Sequence, residues 1–459
     1  MNSPLEITEN STPDQGDYTI AHLLHQKALI QPDHVIYSYL GDGTRVSTTL
    51  NYGSLDSEAR NIAAKLQSLN GSGERALLLY PPGLEFISAF FGCLYSGVVA
   101  IPSYPPAPGR IEQSLAQLVA LIADSQARFI LTTGVVLKAI QGLAAQMPGA
   151  IQLQWIATDE ISSNTEVSWQ EIYPHPGDLA YLQYTSGSTR LPRGVRLNHE
   201  NLLHNSISIS RIFELSENDI SIIWLPIQHN LGLVGGILQP FYSGCQCILM
   251  SPQVFLQQPI KWLEAISNFK ATVSGGPNFA YDLCARVIKP DQCTGLDLST
   301  WNLAFNGAEP VRPDTLERFS TKFKPFGFDY KAFYPCYGLA EATLMVTGGV
   351  RKSGPVSINL DKAALEQHHI LEALEQASNS RTYIGCGHSL PDQKLIVVDP
   401  ESRIQVKPGA VGELWISGPS VSTGYWNRPL DTAETFQGYL ADCQDGPFLR
   451  TGDLGFLRD

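Results

Sequence analysis

Between Tyr184 and Val195 the chain reads Tyr-Thr-Ser-Gly-Ser-Thr-Arg-Leu-Pro-Arg-Gly-Val. These residue types suit phosphate. Hydroxyls and unpaired backbone N–H groups donate, glycine lets the backbone curl into a concave nest, and arginine forks onto phosphate oxygens. The run is not a Walker A loop, because no Gly-Lys-Ser/Thr closes it after Gly187. A polar surface turn could have the same composition, so the assignment depends on its company. Further polar clusters follow apolar runs: His229 after Trp224-Leu225-Pro226, Gly275-Gly276-Pro277-Asn278, Asn306-Gly307-Ala308-Glu309, Tyr337-Gly338 with Glu341, and Thr451-Gly452-Asp453.

The elements that position these clusters alternate between strand and helix. Expected strands include 75–80, 98–102, 128–132, 220–226, 271–275 and 303–306; helices are expected over 84–95, 111–125, 136–146, 232–241 and 279–288. This rhythm predicts an α/β fold of two doubly wound, mainly parallel sheets flanked by helices, with ligands at the carboxyl ends of the strands. The phosphate-type run should lie between a strand at 179–183 and a helix starting near Asn198. After about Gly349 short strands at 394–399, 411–417 and 448–453 predict a small β-rich, barrel-like subdomain. The expected division is 1–349, two interleaved α/β subdomains carrying the nucleotide and acyl sites, and 350–459, the β-rich part. An insertion at 351–381 is expected to hold an amphipathic helix from Asp361, its N-cap, to about Ala377.

Composition narrows the function. With 459 residues, 43% hydrophobic and 16% charged, the chain is a well-buried multidomain protein, and its formal charge of −13 gives a nucleic-acid partner no electrostatic support. The N-terminal residues have neither a basic nor an apolar signal region, and the apolar run 86–101 is interrupted and too short to span a bilayer, so no membrane insertion is expected. Eight scattered cysteines suit reduced thiols and a cytoplasmic location.

Taken together, the clusters resemble the adenylate-forming superfamily of acyl-CoA synthetases, peptide-synthetase adenylation domains and luciferases. Within it the sequence is most similar to the fatty acyl-AMP ligases. The resemblance runs from about Tyr18 to the end and rests on Tyr80-Pro81-Pro82-Gly83-Leu84-Glu85-Phe86-Ile87, Ala89 to Tyr95, Tyr104-Pro105-Pro106, Gly276-Pro277-Asn278-Phe279-Ala280-Tyr281, and Leu449-Arg450-Thr451-Gly452-Asp453-Leu454-Gly455.

The resemblance implies activation of a fatty acid by ATP and Mg²⁺ to acyl-AMP, with the acyl group then passed to the phosphopantetheine arm of an acyl carrier protein. A long-chain acyl-CoA synthetase is the alternative, and a catalytically weak nucleotide- or acyl-binding module is a second one. Thr185, Ser186, Gly187, Ser188, Thr189 and Arg193 would hold phosphate; Asn306, Gly307, Ala308, Glu309, Tyr337 and Gly338 would hold adenine; Asp453 would hold ribose. Thr185 and Glu341 would bind the metal, His229 would stand near the reacting carboxylate, and Gly275, Gly276 and Asn278 would border the acyl tunnel with it. Arg190, Arg193 and Asn230 replace the family's usual glycine, lysine and aspartate. Family members continue into a mobile C-terminal domain, which this chain is expected to lack.

Overall fold

The computed structural model describes residues 18–106, 109, 111–144, 153–162, 168–172, 174–185, 192–374, 377 and 379–458. Two large sheets dominate. The first has the order β6-β5-β3-β4-β7-β8, with β3 Arg75–Leu79, β4 Val99–Ser103, β5 Phe129–Thr132, β6 Gln154–Ala157, β7 Leu179–Thr185 and β8 Arg193–Asn198. All but β8 run parallel. The second has the order β17-β14-β13-β12-β11-β9-β10-β1-β2. Its parallel centre is made of β1 Val35–Leu40, β9 Ile220–Ile223, β10 Gln246–Met250, β11 Val273–Gly276, β12 Leu303–Asn306 and β13 Phe333–Gly338. Antiparallel edges come from β2 Val46–Asn51, β14 Met345–Gly348 and β17 His388–Ser389.

Parallel strands buried on both faces need near-continuous apolar sequence, and Ala76 to Leu79, Phe129 to Leu131 and Leu303 to Ala304 are all inaccessible. Helix Glu85–Ser96 is apolar all round and is buried from Phe86 to Ser96, as a helix between layers must be. Its Phe91 ring meets Phe241 at 5.0 Å, joining the two sheets through one continuous core. No helix of the described residues is long and apolar enough to cross a membrane.

Three expectations need correction. A strand that was not expected, β8, separates the phosphate-type run from the helix expected near Asn198 and pairs Arg193 with Thr185 in antiparallel fashion. The helix His199–Phe213 starts only afterwards, fixed by a capping box between Asn198 and Asn201. The β-rich part is a three-stranded antiparallel sheet of β18 Lys394–Val398, β19 Gly412–Ser417 and β20 Leu449–Gly455, and no barrel closes among the described residues.

The third correction concerns the insertion. Asp361 caps a helix as expected, but it covers only Lys362–Glu366. His368 turns left-handed at φ 60°, and the chain then pairs as an extended segment, Glu372 with Leu360 and His369 with Ala410. Around it β15 Ser357–Asp361 and β16 Ser380–Ile384 form a hairpin. Arg351, at the expected start of the insertion, belongs to the core: its guanidinium pairs with Asp219 at 2.7 Å, bonds Asn302 Oδ1 at 2.8 Å, and donates to the carbonyls of Phe213 and Glu214 that end helix His199–Phe213.

Candidate active site

Thr185 ends β7 and stands where two cavities meet. One, about 310 Å³, is bounded by Thr185, Asn230, Glu341 and Tyr337 and continues between apolar side chains including Phe213 and Met345. The other, about 1440 Å³, passes Thr185, Tyr104, His229, Asp124 and Arg428. Thr185 therefore shares one space with Glu341 and another with His229. Ser186, Gly187, Ser188, Thr189 and Arg190 lie outside the described residues.

Glu341 sits in the short 3₁₀ turn Ala340–Ala342 beyond β13. Its position is heavily determined. Tyr425 Oη donates to Glu341 Oε1 at 2.7 Å, and the Ser422 N–H donates to the Glu341 carbonyl at 2.8 Å. Burial first, and the neighbouring Glu341 charge second, hold the Tyr425 phenol well above its ordinary pKa, so it stays a donor. Behind Glu341, Thr343 has φ 69° and ψ −68°, and Leu344 N–H donates to the Ala342 carbonyl at 2.9 Å: a γ-turn of the strained hand, at a fully buried β-branched residue. Thr343 Oγ1 donates to the Ser420 carbonyl at 2.7 Å, and Asn230 Nδ2 donates to the Thr343 carbonyl.

Arg193 is not pointed at open space. Its guanidinium lies 5.1 Å over the Tyr425 ring and 3.4 Å from Asp431. Tyr425 reaches this place because residues 424–426 extend the first sheet: Val195 bridges Tyr425, Arg196 N–H donates to the Gly424 carbonyl, and Trp426 N–H to the Gly194 carbonyl. Tyr425 and Asp431 were absent from the sequence-derived site; nothing in Gly424-Tyr425-Trp426-Asn427-Arg428 marks a chemical role.

At the carboxyl end of the second sheet, Gly307 approaches Cys336 so closely that a Cβ would stand 2.8 Å from its Sγ, and Ala308 adopts φ 67°. Tyr337 Oη donates to Asp453 Oδ2 at 2.7 Å, which brings two expected nucleotide contacts into one pair. Gly338 follows in β13, its Cα 's added Cβ position only 1.8 Å from the Leu344 carbonyl oxygen. The Thr451-Gly452-Asp453 turn is held by Glu413, 5% exposed, which accepts from Gly452 N–H at 3.0 Å and Trp415 Nε1 at 2.9 Å and pairs with Arg450. Glu413 was also missed.

His229 lies on the wall of the larger cavity, its ring 5.9 Å from that of Tyr104. Although solvent reaches it, the surrounding protein lowers its pKa by desolvation and favours neutral imidazole. The remaining expected residues border neither cavity. A Cβ on Gly275 would strike the Phe305 carbonyl, and one on Gly276 would strike Trp224, so both glycines permit close packing of β11. Asn278 spends its amide on Thr315 Oγ1 and the Arg312 N–H, and Glu309 Oε1 accepts from Phe279 N–H at the start of helix Asn278–Val287. Asn306 is fully buried, and its amide has no hydrogen-bond partner among the described residues.

Two parallel α/β sheets whose strand ends bring Thr185, Tyr337 and Glu341 to one cavity form a fold shared with the adenylation domain of a keto acid-selecting NRPS module, at TM-score 0.85 and 23% identity. Residues 24–426 match the AMP-binding enzyme family, and the chain belongs to it. It is 43% identical over 446 residues to the medium-chain-fatty-acid–[acyl-carrier-protein] ligase JamA of Moorena producens, covering 96% of this chain and 75% of that one. It is 33% identical to the long-chain-fatty-acid–AMP ligase FadD32 of Mycolicibacterium smegmatis, with 97% and 73% covered. Among solved structures it superposes at TM-score 0.90, 41% identity and the same 96% and 75% coverage on the fatty acyl-adenylate ligase of L. pneumophila in complex with acyl adenylate and pyrophosphate.

Proposed function

We propose that this chain activates a fatty acid with ATP to acyl-AMP and supplies the acyl group to the phosphopantetheine thiol of an acyl carrier protein. The observation that carries the reading is the smaller cavity: Thr185 and Glu341 border one space whose other walls are largely apolar. A fatty carboxylate held there has its charged end beside the hydroxyl and the carboxylate, and its chain among Leu231, Ile209 and Phe213.

The carboxylate oxygen attacks the α-phosphorus, the bond to the β-phosphate oxygen breaks, and pyrophosphate leaves with the electron pair. The nucleophile is already ionised, so the protein must position it in line and neutralise phosphate charge. Mg²⁺ takes oxygen ligands and shares them with substrate phosphate; the Thr185 hydroxyl and the Glu341 carboxylate are the right donors for it, and when bound it supplies charge neutralisation on the phosphates. Tyr425 fixes the Glu341 carboxylate. Tyr337 and Asp453, already bonded to each other, form the wall against which adenine and ribose rest, with Gly307, Ala308 and Gly338 offering backbone to the ring. His229 stays neutral beside the larger cavity.

The same reading divides the chain into interleaved α/β subdomains over 1–349 and a β-rich part over 350–459. The eight free cysteines support a cytoplasmic setting. Pyrophosphate release on adding ATP, Mg²⁺ and decanoic acid to the full chain tests the first step. Thioester formation is then compared with holo acyl carrier protein and with free CoA; efficient transfer to CoA favours an acyl-CoA synthetase instead, and nucleotide binding without release favours a silent binding module.

A further inference from the structure

Thr185 and Glu341 border one cavity but come from different sheets, so their separation has to be held. On the Thr185 side the strand ladder is thin. β7 pairs with β4 at Tyr181, and from Leu182 onward its only strand partner among the described residues is β8. Thr185 therefore ends a strand that is paired on one side only, and such a segment opens more readily than a central one.

Side chains on both faces of β7 make up for this. Gln183 Nε2 donates to the Gln228 carbonyl at 2.9 Å on one face. On the other face Tyr184 Oη donates to Asp124 Oδ2 at 2.7 Å, near the end of helix Ile111–Ser125. Gly194, paired with Tyr184 across the ladder, makes room for the ring: a Cβ there would stand 3.0 Å from it. Burial first, and the hydrogen bond to Asp124 second, raise the Tyr184 phenol above its ordinary pKa, so it stays a donor.

The other oxygen of Asp124, Oδ1, accepts from Arg428 Nη2. Arg428 follows Tyr425 by three residues in the same segment. That segment thus holds the Glu341 carboxylate through the Tyr425 hydroxyl and, through Arg428 and Asp124, the residue next to Thr185. The Asp124 and Arg428 side chains are 18% and 34% exposed, and an ion pair so open to solvent contributes little to stability. Its effect is on geometry, because the guanidinium orients the carboxylate and the carboxylate orients the phenol.

We infer that Asp124 and Arg428 are positioning residues for adenylation, acting through Tyr184 to hold Thr185 at a fixed separation from Glu341. Phosphate and Mg²⁺ shared between Thr185 and Glu341 meet both donors only while that separation is kept. The Tyr337–Asp453 wall lies off this path, so loss of the link should weaken MgATP and spare adenosine.

This inference rests on the adenylation reading above, and its test separates the two. For the full chain and for Asp124→Ala, Tyr184→Phe and Arg428→Gln, the dissociation constants of MgATP and of adenosine are measured by calorimetry, beside kcat for pyrophosphate release and the thermal midpoint. Asp124→Ala and Tyr184→Phe should each weaken MgATP and lower kcat about 10-fold, with adenosine affinity and the midpoint nearly unmoved. Asp124→Asn keeps an acceptor for Tyr184 Oη and should recover most of the loss. The double variant of Asp124→Ala with Tyr184→Phe should be no worse than Asp124→Ala, because both delete the same bond. Unchanged MgATP affinity and rate in Asp124→Ala and Tyr184→Phe overturn the inference, as do parallel losses for MgATP and adenosine with a lowered midpoint, or additive losses in the double variant. No change in Arg428→Gln overturns the part assigned to Arg428. If Asp124→Ala fails to fold, Tyr184→Phe, which deletes a single hydroxyl, decides. No release by the unaltered chain with any acid overturns the adenylation reading, while the contrast between MgATP and adenosine still tests the link.

Discussion

The side chains that face the smaller cavity and the side chains that hold them come from different parts of the chain. Thr185, Tyr337 and Glu341 project from the ends of β7 and β13, strands of the two parallel sheets. The groups that hold Glu341 and the Asp453 turn, Tyr425 and Glu413, both follow Gly349. The difference has a structural cause. β7 and β13 run parallel to their inner neighbours and are paired at their carboxyl ends with antiparallel β8 and β14, which places Thr185 and Tyr337 at the rim of the sheets where ligands bind. The later segment is antiparallel and edge-paired, so its register is fixed by its own hydrogen bonds and it can brace what it touches. Reactivity and rigidity are thus supplied by two regions.

If that division holds, removing a facing group should cost rate with little stability, and removing a brace should cost both. The largest effect is expected for Glu341→Ala. Loss of the carboxylate that would hold Mg²⁺ beside the phosphates should reduce pyrophosphate release by about 10²- to 10³-fold, with the thermal midpoint nearly unmoved. Glu413→Ala comes next. It strips acceptors from Trp415 Nε1, Gly452 N–H and Arg450 at a nearly buried position, and should lower unfolding free energy by about 3 kcal/mol in denaturant titration. KM for ATP should rise as well, because the Asp453 turn loses its anchor. A Glu413 variant with full stability and altered kinetics would contradict the assignment of bracing to this region.

Facing residues were more legible in the sequence than braces, for a physical reason. Phosphate, adenine and a carboxylate restrict which residue types can meet them, so Thr185, Tyr337, Glu341 and Asp453 stand out; almost any residue with a hydroxyl or carboxylate can brace, so Tyr425 and Glu413 do not. Apolar runs located the parallel strands for the same kind of reason, because burial on both faces demands them. The failures follow from competition between local pattern and pairing. Residues 361–377 carry helical periodicity, yet Leu371 and Leu374 are 58% and 84% exposed, because pairing of Glu372 with Leu360 pulls the segment out of the helix. In β8 the glycine and two arginines hid a strand that exists because β7 offers it an edge. Gly275 and Gly276 looked like tunnel borders but allow strand packing, which composition cannot distinguish from close approach to a ligand.

A finer cut through the same division is Tyr425→Phe, which keeps the ring under Arg193 and deletes only the hydroxyl that holds Glu341. A hydrogen bond to a charged group contributes about 1.5–3 kcal/mol, so kcat should fall about 10- to 100-fold while KM for ATP changes little. Equal losses in both would mean that the ring, through Arg193, matters more than the hydroxyl.

The smallest effect is expected at His229, which faces the larger cavity and has no brace after Gly349. Desolvation lowers its pKa below the ordinary 6.5 and favours the neutral form. An imidazole that works neutral should leave kcat/KM level from pH 8 down to 6.5, with a decline only at lower pH as the ring takes up a proton. His229→Gln should then cost no more than a few-fold at pH 7.5 and erase that acid limb. A decline centred at or above pH 6.5 would show that the cavity stabilises the charged ring, which requires an anionic neighbour there. It would also make His229 a held residue like Glu341, and the contrast between faced and braced groups would no longer follow the boundary at Gly349.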